Sequence, residues 1–280
     1  MNELSAHLHQ LLLLALREDL GRGDITSLAT IGEHDAGLAL VRAKQELVVS
    51  GTRLLKPLWK IVDPETSVAI SAGDGDRLRP GETLAEIRGR VRSLLAGERT
   101  CLNFLCHLCG IATLTARYVA AVGEHKARIL DTRKTLPGYR ELEKEAVRHG
   151  GGVNHRIGLY DQILIKDNHI EAGGGVSAAI AKARAYAPDL IIEVEVRNEE
   201  ELLAALAERA DIILLDNMNN EQIRRCVELT AGRAQLEVSG GVTLAQIPAL
   251  AATGVDRISI GALTHSAPAA DLNMKLAPTA

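Results

Sequence analysis

Ile191-Ile192-Glu193-Val194-Glu195-Val196, Ile212-Ile213-Leu214-Leu215-Asp216, Leu236-Glu237-Val238-Ser239 and Arg257-Ile258-Ser259-Ile260-Gly261 recur at a period of about twenty residues, close to the minimum for a strand, a helix and two short loops. Helices are expected between them, starting near Asn198, Asn219 and Thr243. Upstream, Arg128-Ile129-Leu130-Asp131 and Gln162-Ile163-Leu164-Ile165-Lys166 read as two earlier strands. Six strand and helix units of this kind predict an α/β fold built on a parallel barrel, complete or nearly so.

In such barrels the active site lies at the carboxyl ends of the strands. Those ends carry Asp131, Lys166, Glu195, Asp216, Ser239 and Gly261. Any one of them is an ordinary strand-end residue; six in register, ionisable or tiny where packing favours apolar side chains, mark a site. Between Asp131 and His169 the chain also gathers Arg133, Lys134, His155, Arg156 and Lys166 around Gly150-Gly151-Gly152, in a protein of net charge -4. Strand ends and glycine turns are rigid supports on which cations converge, whereas the same cations along a helix face would be solvated. The expected ligand is a compact polyanion.

Ser239-Gly240-Gly241 falls between a strand and a helix, where backbone N–H groups and a helix N-terminus can hold a phosphate; the plainer reading is a tight loop that needs glycine. Gly261-Ala262-Leu263, followed by Thr264 and His265, takes the equivalent place one unit later. Glu195 and Asp216 end neighbouring strands. Two carboxylates there suit Mg²⁺ with sugar hydroxyls, a developing positive charge, or pairing with a pocket Lys or Arg.

Residues 1–115 have a different texture. A helix is expected from Leu4 to Leu16, then a turn through Arg17-Glu18-Asp19-Leu20-Gly21-Arg22-Gly23-Asp24-Ile25-Thr26. Strand-like stretches follow at Gly37 to Val49, Ser67 to Ser71 and Thr83 to Arg90, with antiparallel turns at Gly73-Asp74-Gly75-Asp76 and Arg79-Pro80-Gly81-Glu82. A long helix from about Val91 to Tyr118, with Gly97 and Gly110 as candidate breaks, leads to the barrel. The 280 residues exceed the usual single-domain size. The division expected is a smaller α/β domain over 1–115 and a barrel over 116–265, with the tail 266–280 returning to the smaller domain.

Several classes are disfavoured. Phe104, Trp59 and four Tyr are too few aromatics for a single-strand stacking surface, and a net charge of -4 lacks the basic footprint of a nucleic-acid binder. No run approaches about 18 uninterrupted apolar residues, so no membrane partner is expected. The Leu11 to Leu16 run is short, follows His7 and His9 rather than a basic region, and reads as a helix instead of a signal peptide, which makes the cytoplasm the expected location. Cys106 and Cys109 have a metal-like spacing but no second pair; with Cys101 and Cys226 they read as buried thiols of a reducing compartment. Gly21-Arg22-Gly23 lacks the third glycine of a dinucleotide fingerprint, and there is neither a Walker loop nor Gly-x-Ser-x-Gly.

Arg17-Glu18-Asp19-Leu20-Gly21 with Gly23-Asp24-Ile25-Thr26-Ser27, Gly97-Glu98-Arg99-Thr100 with Leu102-Asn103-Phe104, Asp131-Thr132-Arg133-Lys134-Thr135, Gly150-Gly151-Gly152-Val153-Asn154-His155-Arg156, Lys166-Asp167-Asn168-His169, Glu193-Val194-Glu195-Val196 and Leu236-Glu237-Val238-Ser239-Gly240-Gly241 occur in order along almost the whole chain. In these the chain resembles the quinolinate phosphoribosyltransferase (decarboxylating) family. The resemblance implies an N-terminal α/β sandwich domain plus an open α/β barrel, in an obligate dimer. It implies that Thr132, Arg133, His155, Arg156 and Lys166 hold quinolinate, with Arg99 reaching into the neighbouring subunit's site. Lys134, Lys166, Glu195, Asp216, Ser239, Gly240, Gly241, Gly261, Ala262 and His265 would bind phosphoribosyl pyrophosphate. Glu195 and Asp216 would hold Mg²⁺ directly or through substrate and water. Catalysis would fall to Lys134, Lys166, Glu195 and Asp216, with the proton donor to the ring carbon left open between the two lysines. The implied products are nicotinate mononucleotide, pyrophosphate and CO₂, in NAD biosynthesis. Rival readings are a phosphoribosyltransferase for another small acid and a silent anion-binding paralogue; an anion binder gains nothing from Glu195 and Asp216.

Overall fold

The computed structural model describes residues 5–277, and the chain divides into two compact units. Leu4, where the first helix was expected to start, lies outside the described residues. The helix runs Ala6–Leu20, opened by Ser5, whose Oγ accepts from the Leu8 amide, and buries the i, i+4 stripe Leu8, Leu12 and Leu16.

The first unit comprises residues up to Leu114, Pro137–Gly150 and the tail from Ala267. Its strands are β1 (Ala36–Ala43), β2 (Leu47–Val48), β3 (Ser67–Ile70), β4 (Arg77–Leu78) and β5 (Thr83–Arg90). A four-stranded antiparallel sheet has the order C-terminal strand Leu272–Leu276, β1, β5, β3, while β2 and β4 form a separate pair. Alternation drives Ala39, Val41 and Ala43 of β1 to one face together with Ala85 and Ile87 of β5, and Leu84, Leu55, Leu58 and Trp59 are buried in the same unit.

The helix Val91–Val122 runs without the breaks expected at Gly97 and Gly110. Those glycines are where neighbours come close: a Cβ on Gly97 would stand 2.5 Å from the Trp59 ring, and one on Gly110 only 2.2 Å from the Pro268 carbonyl oxygen. By length and composition this helix is apolar enough to cross a membrane, yet 56% of its most apolar 18 residues are buried inside the protein, as in a core helix, and polar residues such as Asn103, His107 and Thr113 interrupt its apolar run.

Pro137–Gly150, which a linear reading gives to the barrel, groups with the first unit. Its helix Arg140–His149 buries Leu142, Ala146 and Val147, Glu143 faces His107 at 2.8 Å, and His149 Nδ1 lies 2.9 Å from Ser50 Oγ.

The second unit, Thr115–Leu136 and Gly151–Ser266, holds β6 (Arg128–Leu130), β7 (Ile163–Ile165), β8 (Ile192–Val196), β9 (Ile212–Asp216), β10 (Gln235–Ser239) and β11 (Arg257–Ser259). All pair in parallel, in the order β6-β11-β10-β9-β8-β7, so the first strand meets the last. Val153 bridges to Leu130 on the outer side of β6, and no described bridge joins it to β7. The barrel is therefore open. Asn198 and Asn219 cap the helices that return after β8 and β9, each accepting an amide hydrogen from the first turn. Thr243 opens a 3₁₀ turn before the helix Ile247–Ala251. Val194, Ile213, Leu215 and Val238 fill the core, while Glu193 and Glu195, Leu214 and Asp216, Glu237 and Ser239 lie two apart on the opposite face of their strands.

Candidate active site

At the carboxyl ends of the parallel strands lies a cavity of about 520 Å³. Thr132, Arg133 and Lys134 after β6, His155 and Arg156 after the glycine turn, and Lys166 after β7 all line it. Ser239, Gly240 and Gly241 after β10 and Gly261, Ala262 and His265 after β11 complete the sequence-predicted part of its wall. Residues from both edge strands meet in one cavity because the sheet curls.

Local bonds fix the loops. Thr132 Oγ1 accepts from the Lys134 amide at 3.1 Å, and Thr264 Oγ1 donates to the Lys134 carbonyl at 2.7 Å. Asp131 is wholly buried and accepts from the His155 amide at 2.9 Å, so it braces the loop rather than facing the ligand. The Lys166 amide donates to His169 Nδ1 at 3.0 Å, closing the turn into the helix Asp167–Gly173.

Electrostatically the cavity suits an anion. Arg133 Nε is buried and has no acceptor among the described residues, a donor whose demand a carboxylate would meet. Burial, then the Arg133 charge, lower the pKa of Arg156. Glu195 and Asp216 are not part of the cavity wall. Glu195 stands beside it, 3.9 Å from Lys166 Nζ, and its carboxyl is raised first by burial and then by the Asp216 charge, with Lys166 opposing. Asp216 accepts from Asn217 Nδ2 at 2.8 Å. Two carboxylates in mutual repulsion, offering hard oxygen ligands, fit a divalent cation. Arg99 is exposed on the part of the helix Val91–Val122 that belongs to the first unit.

The sequence reading missed the floor beneath the cations. His155 Nε2 lies 3.1 Å from Glu193 Oε2 and 3.4 Å from Glu237 Oε1, and both carboxylates are fully buried. Gln162 donates to Glu193 and Arg257 Nε to Glu237, each at 2.6 Å. Burial opposes a charged imidazole, but Glu193 and Glu237 outweigh it and raise the His155 pKa to about 9. Burial likewise pushes the Glu237 carboxyl up, and His155 and Arg257 reverse this to leave it low. One histidine and two glutamates at this spacing resemble a metal cage. However, a ring held charged carries a proton on Nε2, pointing at the two carboxylates, where a metal would need a lone pair. The signal for this floor was present: a glutamate between Ile192 and Val194 breaks the apolar run expected of a strand buried on both faces.

A larger cavity, about 870 Å³, includes Lys126, Asp211 and Asp256 near the amino ends of the strands. Three of its charges pair with protein, Lys126 with Asp256 at 2.6 Å and Asp211 with Arg184 at 2.9 Å. The thiols of Cys101 and Cys109 are buried and pushed up to about 12 by that burial, so they are inert.

Residues 24–109 match the family model for the quinolinate phosphoribosyl transferase N-terminal domain, and residues 111–275 match that for its C-terminal domain. A probable nicotinate-nucleotide pyrophosphorylase [carboxylating] of Bacillus subtilis (strain 168) is 44% identical over 98% of this chain and 94% of its own length. The nicotinate-nucleotide pyrophosphorylase [carboxylating] of Mycobacterium leprae is 44% identical over 94% of each chain. The crystal structure of NadC from Streptococcus pyogenes superposes with a TM-score of 0.94 at 43% identity, covering 98% of both chains. With both domains matched, the chain belongs to the quinolinate phosphoribosyltransferase family.

Proposed function

We propose that this protein transfers the phosphoribosyl group of phosphoribosyl pyrophosphate to quinolinate, releasing pyrophosphate and CO₂ and forming nicotinate mononucleotide. The observation that carries this reading is the single cavity in which Arg133, Lys134, Arg156 and Lys166 face two glycine loops. Arg133, Arg156 and Lys166, with Thr132 and His155 in the wall, hold the two carboxylates. Ser239-Gly240-Gly241 and Gly261-Ala262, with His265 and Lys134, take the phosphates. As pyrophosphate leaves the anomeric carbon, positive charge develops on the ribose, and Glu195 and Asp216 stabilise it. The ring nitrogen then forms the new C–N bond. Its positive charge accepts the electron pair left when the adjacent carbon–carboxylate bond breaks, CO₂ departs, and the ring carbon takes a proton, from Lys134 or Lys166. Orientation and charge placement are most of the protein's share.

Mg²⁺ belongs to the proposal: Glu195 and Asp216 would hold it, directly or through substrate and water, and it would neutralise the departing pyrophosphate. A homodimer with Arg99 serving the neighbouring site is supported by the exposure of Arg99. Cytoplasmic residence is supported by four free cysteines.

The test is incubation of the protein with quinolinate, phosphoribosyl pyrophosphate and Mg²⁺. Nicotinate mononucleotide and CO₂ are expected in equal amounts, with turnover stopped by EDTA. Turnover of nicotinate but not quinolinate would refute the substrate.

A further inference from the structure

Glu193 and Glu237 lie wholly buried on β8 and β10, with β9 between them. Two interior carboxylates so close together destabilise a fold unless donors satisfy them, and apolar residues would serve packing better. Each has its own anchor, Gln162 for Glu193 and Arg257 for Glu237, and both converge on Nε2 of His155. The opposite ring nitrogen lies 2.8 Å from the Arg156 amide nitrogen, and the Arg156 guanidinium donates to the Gln162 carbonyl at 3.3 Å. A continuous set of polar contacts thus runs from the barrel interior to a cation in the cavity wall.

We infer that Glu237 and Glu193 are positioning residues, which act through His155 to fix the His155–Arg156 step and with it the grip on the carboxylates of quinolinate. The inference rests on the assignment of His155 and Arg156 to the quinolinate site. Oε2 of Glu237 accepts from Arg257, while Oε1 has no hydrogen-bond donor among the described residues and faces His155 Nε2 as an ion pair at 3.4 Å. Glutamine has the same shape but one acceptor, so it must turn its NH₂ toward either Arg257 or the His155 ring, donor against donor.

Steady-state kinetics of the full chain carrying Glu237→Gln, His155→Ala and both together test this, with melting temperature followed in parallel. Glu237→Gln is expected to raise KM for quinolinate about tenfold while KM for phosphoribosyl pyrophosphate stays within about twofold. In the His155→Ala background it should add nothing, because both changes cut one path. An unchanged quinolinate KM in Glu237→Gln, or a full additive loss in the double variant, overturns the inference. His155→Ala alone leaving quinolinate KM unchanged removes instead the site assignment beneath it. Should Glu237→Gln not fold, Arg257→Lys, which takes away the Glu237 anchor and keeps the charge, carries the same expectation and the same refutation.

Discussion

Replacing Gly240 with alanine tests the phosphate loop at its most constrained point. Gly240 sits at φ +103, a region that costs an L-residue about 1–3 kcal/mol. The new Cβ would also stand 3.2 Å from Asn217 Oδ1 and 4.0 Å from Asp216 Oδ1. Asn217 has little room to yield, since it is itself at φ 52 and its Nδ2 holds Asp216. Alanine restricts the unfolded chain and returns about 0.4–1 kcal/mol. The net penalty is about 1–2 kcal/mol, taken from folding stability if the loop keeps its shape. If the loop relaxes instead, affinity for phosphoribosyl pyrophosphate falls about five- to thirtyfold. Urea unfolding reads the first outcome and pyrophosphate release against donor concentration reads the second. Gly123→Ala is the control, at φ +61 with open space around it and no part in the cavity. Wild-type stability together with wild-type donor KM in Gly240→Ala would refute the reasoning.

Other outcomes follow from the same geometry. Arg133→Ala or Arg156→Ala should cost about 1.5–3 kcal/mol of quinolinate binding, the range for hydrogen bonds to charged groups, and equilibrium titration showing unchanged affinity in both would remove the dicarboxylate assignment. Gly110→Ala should destabilise by about 1–3 kcal/mol, because Cβ meets a carbonyl oxygen at 2.2 Å, and a rise in the urea midpoint, as at an open helix glycine, would contradict that contact. Asp63 accepts from Arg90 Nε, Ser93 Oγ and the Glu65 amide, with Arg90 the chief cause of a carboxyl well below its ordinary 3.8. Its contribution is whole above that ordinary value and is lost as pH falls toward the folded one. Asp63→Asn should thus lower stability by about 1–2 kcal/mol near neutrality, and the gap should close in acid; a gap independent of pH would refute the assignment.

The barrel was legible because its strands are short apolar runs at a steady period, each ending in a polar residue. The same regularity placed Lys166, Ser239 and Gly261 at one mouth. Three features were not legible. The glycines of the long helix looked like breaks, since nothing local reveals that Trp59 and Pro268 press on them. The helix Arg140–His149 follows the first barrel strand in sequence yet packs with the first unit, because its partners, His107 and Ser50, lie far away along the chain. Glu237 read as part of a motif; its burial appears only when β10 lies beside β11 and Arg257 reaches it.

Charge balance joins the visible part of the site to the hidden part. Arg133 and Arg156 share a cavity of about 520 Å³ with Lys134 and Lys166, and the Arg133 charge already weighs on Arg156. Like charges so confined tend to splay apart, and a splayed site must regather its cations before binding, at a cost in affinity. Neutral side chains beneath them would not oppose that tendency. Glu193 does, since its charge acts on Arg156 in the opposite sense to that of Arg133. At Glu193 the barrel interior gives up apolar packing for a charge that offsets part of the repulsion on Arg156.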